Sequence, residues 1–225
     1  MKNYTFSFII IFLFCSCNNT AVELAIELKE KSKCKKVNLT TSVNLEGETQ
    51  RNYYDVEIFE SELVTDSLSA EYVSDQIVLS VYDKLDNESL ILIDDFRIAF
   101  YSSESNEEHP KFLYIYNKEN VYTATEAIKI CSEIIFSQFT EDKLLLTDKL
   151  AKEELLKVDS LLKPTNEQIN KLKLIQFNTF QTLVNDSTNV ISTQVTNTVL
   201  ASNDTILITI TLESETNKVI SIIVN

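Results

Sequence analysis

The chain has 225 residues, a formal net charge of −14, one glycine (Gly47), one histidine (His109) and no tryptophan. A chain of this length carries about 16 glycines on average. Phosphate-cradling loops, dinucleotide fingerprints and nucleophile elbows need glycine wherever the backbone turns sharply or approaches closely, so one glycine excludes them. The acidic balance likewise opposes nucleic acid and anionic lipid surfaces as partners.

In chain order, Lys2 precedes an almost unbroken apolar run from Tyr4 to Phe14. The run is shorter than the roughly 20 residues of a spanning helix and suits the apolar core of an export signal. Small Ser16 directly precedes Cys17. The tetrad Phe14-Cys15-Ser16-Cys17 resembles the lipobox of bacterial lipoproteins, with Phe14 where leucine is usual. The resemblance implies cleavage after residue 16, diacylglycerol on the Cys17 sulfur and often a further acyl chain on its amine. Cys15 is the poorer acceptor, because bulky Phe14 would precede the cut. Two or three acyl chains hold a protein at a bilayer stably, whereas one does so only marginally. By similarity to known sorting rules, Asn18 and Asn19 in place of Asp imply the outer membrane, facing the periplasm. The expected organisation is a signal peptide over 1–16 and a tether over 17–20, followed by units over 21–118 and 119–225, which could also form one continuous domain. Loss of Lys2 with the signal takes the charge from −14 to about −15.

Ala21, Leu24, Ala25 and Leu28 recur at helical spacing, which predicts an amphipathic helix over 21–33; the lysine cluster at its end (29, 31, 33, 35, 36) reads either as cations favoured at a helix C-terminus or as a contact with lipid headgroups near the anchor. Val37, Leu39, Thr41, Val43 and Leu45 alternate with polar residues, as do Tyr54, Val56 and Ile58, and the Glu46-Gly47-Glu48 turn joins them as a hairpin. A helix is predicted over 67–84 from Ala70, Val73, Ile77 and Val81. Leu90 to Tyr101 reads as one bent strand or two short ones, with Phe96, Ile98 and Phe100 on one side, and Lys111 to Tyr116 as another strand. Helices are predicted over 122–139 and 141–163, the second ended by Pro164, and Thr165 with Gln168 resembles a capping box opening a third. Residues 191–199, 206–212 and 219–224 read as a three-stranded antiparallel meander. The fold class is therefore α+β, with antiparallel sheets packed on amphipathic helices. As a fold-level analogy, the helix-then-meander order resembles cone-shaped cystatin or nuclear-transport-factor folds.

Few residues carry chemistry. His109 lies in the charged loop Glu107-Glu108-His109-Pro110 and reads as a solvated histidine. Asp94 and Asp95 are neighbours on a strand and point to opposite faces. Glu57 with Glu60 is a formal acid pair, and Glu153-Glu154 reads as a solvated helix face. The Asp83, Asp86, Asn87, Glu88 loop lacks the spacing and glycine of a calcium loop. No catalytic set, cofactor or metal site is expected. Cys34 and Cys131 form a candidate disulfide in an oxidising envelope, although Cys131 also fits the apolar face of Ala124, Ala127, Ile128 and Ile135. Phe96, Phe100, Tyr101, Phe112, Tyr114 and Tyr116 form an aromatic cluster that reads either as a binding patch or as core filling. Triplets starting at Asp66, Asp159, Asp186 and Asp204 resemble a bacterial O-glycosylation pattern. Expected partners are the bilayer, through the Cys17 anchor, and an envelope protein. The expected function is that of a non-catalytic binding or assembly module anchored in the cell envelope; an acidic inhibitor or immunity role against a basic enzyme, such as a cell-wall hydrolase, is the alternative.

Overall fold

The computed structural model describes residues 19–46, 49–103, 109–139, 172–185, 190–201, 205–213 and 219–224. It is α+β, with two four-stranded sheets. The chain divides into two compact units, 1–121 and 122–225, and the division falls inside a helix that starts at Lys118.

The first unit opens with α1 (Asn19–Ser32), β1 (Lys36–Glu46) and β2 (Thr49–Phe59). Leu24 and Leu28 of α1 are buried, and the helix packs on β1. Its C-terminus closes with the N–H of Cys34 bonded to Lys29 O and that of Lys33 to Glu30 O, both at 3.3 Å. That pairing is a Schellman motif, and it puts Lys33 at φ 45°, where glycine is usual. Ser61 Oγ donates to Ser32 O at 2.5 Å and the Glu62 N–H to Lys33 O at 3.1 Å, which pins this end of α1 beside the end of β2.

The chain then crosses over through α2 (Ser67–Lys84) and the short α3 (Asn87–Ile91) to β3 (Asp95–Tyr101) and β4 (Phe112–Asn117). Asp66 caps α2 by accepting from the Ser69 N–H at 2.8 Å. This carboxylate, the first of the four glycosylation-like triplets, is held below its ordinary pKa chiefly by that backbone bond; the other three triplets begin outside the described residues. Sheet order is β1-β2-β3-β4. The sheet is not purely antiparallel as expected, because β2 and β3 run parallel, Val56 opposite Ile98. A parallel pair needs a crossover of a dozen or more residues, which α2 supplies. Tyr54, Val56 and Ile58 on β2 meet Phe96, Ile98 and Phe100 on β3; all six are buried, as are Ala70, Val73, Ile77 and Val81 of α2, which packs on β3 and β4. Burying one such aliphatic or aromatic side chain contributes about 1.5–3 kcal/mol. The expected strand from Leu90 starts instead as helix, because the Asp86 side chain accepts from the Ser89 N–H at 2.7 Å and caps α3.

The helix in which the division falls, α4 (Lys118–Phe139), buries Ala124, Ala127, Ile130 and Cys131 on one side. Four strands follow, β5 (Leu172–Asn185), β6 (Val190–Ala201), β7 (Thr205–Glu213) and β8 (Val219–Val224), paired in that order as an antiparallel meander. The meander therefore has four strands, not three. Phe180, Val195 and Ile210 are opposed in register and buried. The additional strand escapes a simple periodicity test because its register shifts between Phe177 and Thr179, which changes the phase of its alternation. The helix expected over 141–163 and the capping box at Thr165 lie outside the described residues, but from Leu172 onward the chain is strand.

Candidate functional site

The aromatic cluster divides between the two faces of the first sheet. Register places Phe96 opposite Tyr116 and Phe100 opposite Phe112, on the side that α2 covers. Phe96 and Phe100 are buried. The Tyr114 hydroxyl donates to Ser67 O at 2.8 Å, and the Tyr116 hydroxyl donates to Asp75 Oδ1 at 2.7 Å and shares a hydrogen bond with Ser74 Oγ. Burial and the negative Asp75 push the Tyr116 phenol well above its ordinary pKa. Phe96 and Phe100 belong to the core, while Phe112, Tyr114 and Tyr116 are half-buried on the same face; the six do not share one face, because Tyr101, one residue out of phase with Phe96 and Phe100, lies on the second.

That second face has a polar network. Arg97 Nε donates to Asp55 Oδ1 at 2.5 Å, Ser42 Oγ donates to Asp55 Oδ2 at 2.5 Å, and Arg97 Nη2 donates to Ser42 Oγ at 3.1 Å. The Arg97 guanidinium stacks over the Tyr53 ring, 4.9 Å from its centroid. Along the same face Arg51 Nη1 donates to Asp95 Oδ2 at 2.8 Å, and Asn38 Nδ2 donates to Glu57 Oε2 at 3.0 Å. Phe59 and Tyr101 stack with centroids 4.9 Å apart. Arg51, Leu113 and Ile115 remain 56%, 48% and 57% exposed, so solvent reaches this surface. A depression of about 200 Å³ lies among Asp55, Glu57, Arg97, Tyr101, Pro110 and Leu113. Pockets that enclose small ligands run about 300–1,000 Å³, so this depression is smaller than those.

Sequence reasoning missed the centre of this face, although a signal was present. Arg51 and Arg97 are the only arginines in the chain, and Arg97 interrupts the apolar strand Asp-Phe-Arg-Ile-Ala-Phe-Tyr. Each arginine pairs with an aspartate of the neighbouring strand, Arg51 with Asp95 and Arg97 with Asp55. Two aspartates alone on these strands, nearly inaccessible to water, would be strongly unfavourable.

No family model matches the chain, and neither a curated protein nor a solved structure does. Its other singled-out residues are accounted for locally. Asp94 accepts from the Asn52 N–H at 2.8 Å while Asp95 is buried against Arg51, so the two do not converge. Glu60 pairs with Lys35 at 3.3 Å, away from the Asn38 partner of Glu57. Asp86 is a helix cap, and His109 is exposed. Glu153 and Glu154 lie outside the described residues. Among the described residues no group of three or more His, Cys, Asp or Glu is placed to hold a metal ion, and no helix is long and apolar enough to cross a membrane. Cys34 and Cys131 are free, buried thiols rather than a disulfide. Each is accommodated where it stands: Cys34 Sγ donates to Lys36 O at 3.3 Å, and Cys131 sits in the apolar face of α4, where burial raises its thiol pKa.

Proposed function

We propose that the chain is a lipid-anchored protein of the bacterial cell envelope, tethered through Cys17 at the outer membrane and facing the periplasm, that works by non-catalytic binding of an envelope protein. The observation that carries the reading is the lipobox-like tetrad Phe14-Cys15-Ser16-Cys17, followed at once by polar residues and by α1 from Asn19. The binding surface in this reading is the second face of the first sheet. Arginine and tyrosine are enriched where protein interfaces are strongest, and Arg97 over Tyr53 beside exposed Leu113 and Ile115 supplies that chemistry. The carboxylates of the same face support binding over catalysis, because both oxygens of Asp55 are already occupied by Arg97 and Ser42.

The anchor is tested by mass spectrometry of the natively expressed protein together with fractionation of a Cys17→Ser variant. An acylated peptide beginning at Cys17, and loss of the variant from the membrane fraction, are expected. An unmodified Cys17 in a protein that retains Met1 would overturn the reading.

A further inference from the structure

The exposed apolar residues of α1 are not scattered. Val22 and Ile26 are 63% and 55% exposed, four residues apart, and Lys29 follows three residues later. That spacing aligns all three on one side of the helix. The opposite side carries Leu24 and Leu28, buried toward α2 and β1. An apolar stripe turned directly away from the core is not explained by packing within the first unit.

Its position along the chain identifies the occupant. Cys17 is two residues before Asn19, where α1 begins. Two residues span at most about 8 Å, so an acylated sulfur would keep the start of α1 at the headgroups. The helix is about 21 Å long by its rise per residue, and its far end carries Lys29, Lys31, Lys33, Lys35 and Lys36 against the single acid Glu30. In a chain of net charge −14, this short basic stretch is the part an anionic surface would attract. Lys29 and Lys33 are exposed there. Apolar residues near the anchor and lysines beyond them, along one helix face, form the pattern of a helix lying in the plane of a membrane interface.

Resting on the lipid-anchor reading, we infer that α1 docks flat on the bilayer surface through Val22, Ile26 and Lys29, so that the acyl chains orient the first unit rather than merely tether it. The helix is fitted to transmit that orientation. Its C-terminus is bonded to Ser61 and Glu62, and Glu27 pairs with Lys31 at 2.9 Å and with Lys84 of α2 at 3.5 Å. Because α1 lies on the α2 side of the sheet, the Arg97 face then points away from the lipid, toward partners in the compartment.

The test uses the full acylated protein, purified in detergent and reconstituted into vesicles of phosphatidylethanolamine with a minority of phosphatidylglycerol. An environment-sensitive fluorophore is attached at Ile26→Cys or, in a second preparation, at Ile115→Cys; both are exposed positions, and the native Cys34 and Cys131 thiols are buried. A blue-shifted label at 26, quenched several-fold more slowly by an aqueous quencher than the label at 115, is expected. Lys29→Glu with Lys33→Glu should narrow that difference. Equal quenching at 26 and 115, on protein whose acyl chains are confirmed by mass spectrometry, would overturn the docking and leave the anchor standing. Absence of the acyl chains would remove both.

Discussion

The two faces of the first sheet use the same strands for opposite purposes. On one, Tyr54, Val56, Ile58, Phe96, Ile98 and Phe100 are buried, on the side where α2 packs on β3 and β4. On the other, the intervening residues Tyr53, Asp55, Glu57 and Arg97 form a polar network that solvent reaches. Side chains alternate along a strand, so one step along β3, from Phe96 to Arg97, passes from core to surface. Aromatic density along the chain therefore does not tell the covered face from the exposed one. What marks the polar face is a charge that breaks an apolar strand and has an opposite charge beside it on the next.

If the faces differ in this way, substitutions should separate them. The largest effect is expected from Phe96→Ala, which empties a fully buried site and should cost about 3–5 kcal/mol. Ile115→Ala, 57% exposed on the other face, should stay within about 0.5 kcal/mol. Urea denaturation of both variants checks the contrast, and similar losses would break it. The covered face should also show itself in alkali. Burial pushes the Tyr54 phenol up to about 12 and raises that of Tyr116 as well, with Asp75 adding to the second. Both phenols then stay protonated in the fold after they would ionise in the unfolded chain. Stability should hold to about pH 10 and fall above it, by up to about 1.4 kcal/mol per pH unit for each tyrosine. Unfolding midpoints between pH 9 and 12 measure the slope, which Tyr54→Phe should reduce; an unchanged slope would count against a buried Tyr54.

Much of this architecture was readable from residues alone, for physical reasons that differ by element. The helix read at about 67–84 coincides with α2, because Asp66 caps it and its apolar positions repeat without interruption. The first hairpin was clear because β1 and β2 alternate without a bulge from Lys36 to Phe59. Elsewhere a local event hid the pattern. The Asp86 cap turned part of an apolar run into α3, and the register shift near Asn178 disguised β5. The candidate site was only partly legible. Alternation put Phe96, Ile98 and Phe100 on one side, but the patch joined Tyr101 to them against that same alternation, and no local pattern shows that Asp55 and Arg97 are neighbours until β2 and β3 are known to run parallel.

A smaller loss should follow from cutting the Arg97–Asp55 pair. Arg97→Ala leaves a carboxylate, whose side chain is only 8% exposed, with Ser42 alone, a change expected to cost about 2 kcal/mol. The double variant Arg97→Ala, Asp55→Ala should lose less than the sum of the two single variants, by about 1 kcal/mol, because the second change removes the stranded charge. Strict additivity in urea denaturation would mean that the two side chains do not stabilise each other, and the polar face would then be a set of independent surface residues.

The smallest effect tests the core-face helix, since it acts through the backbone alone. Lys33 ends α1 at φ 45°, a left-handed conformation that clashes with a Cβ and that glycine adopts freely. In a chain with a single glycine, at position 47, this turn was left to a lysine. Lys33→Gly should raise stability by about 1 kcal/mol, whereas Lys33→Gln, which removes the same charge but keeps the Cβ, should not. If both variants shift the melting temperature equally, the charge and not the backbone sets the cost at this position. If only glycine does so, the end of α1 is held in place against its own residue preference by the bonds from Ser61 and Glu62, as a helix positioned by the sheet beneath it requires.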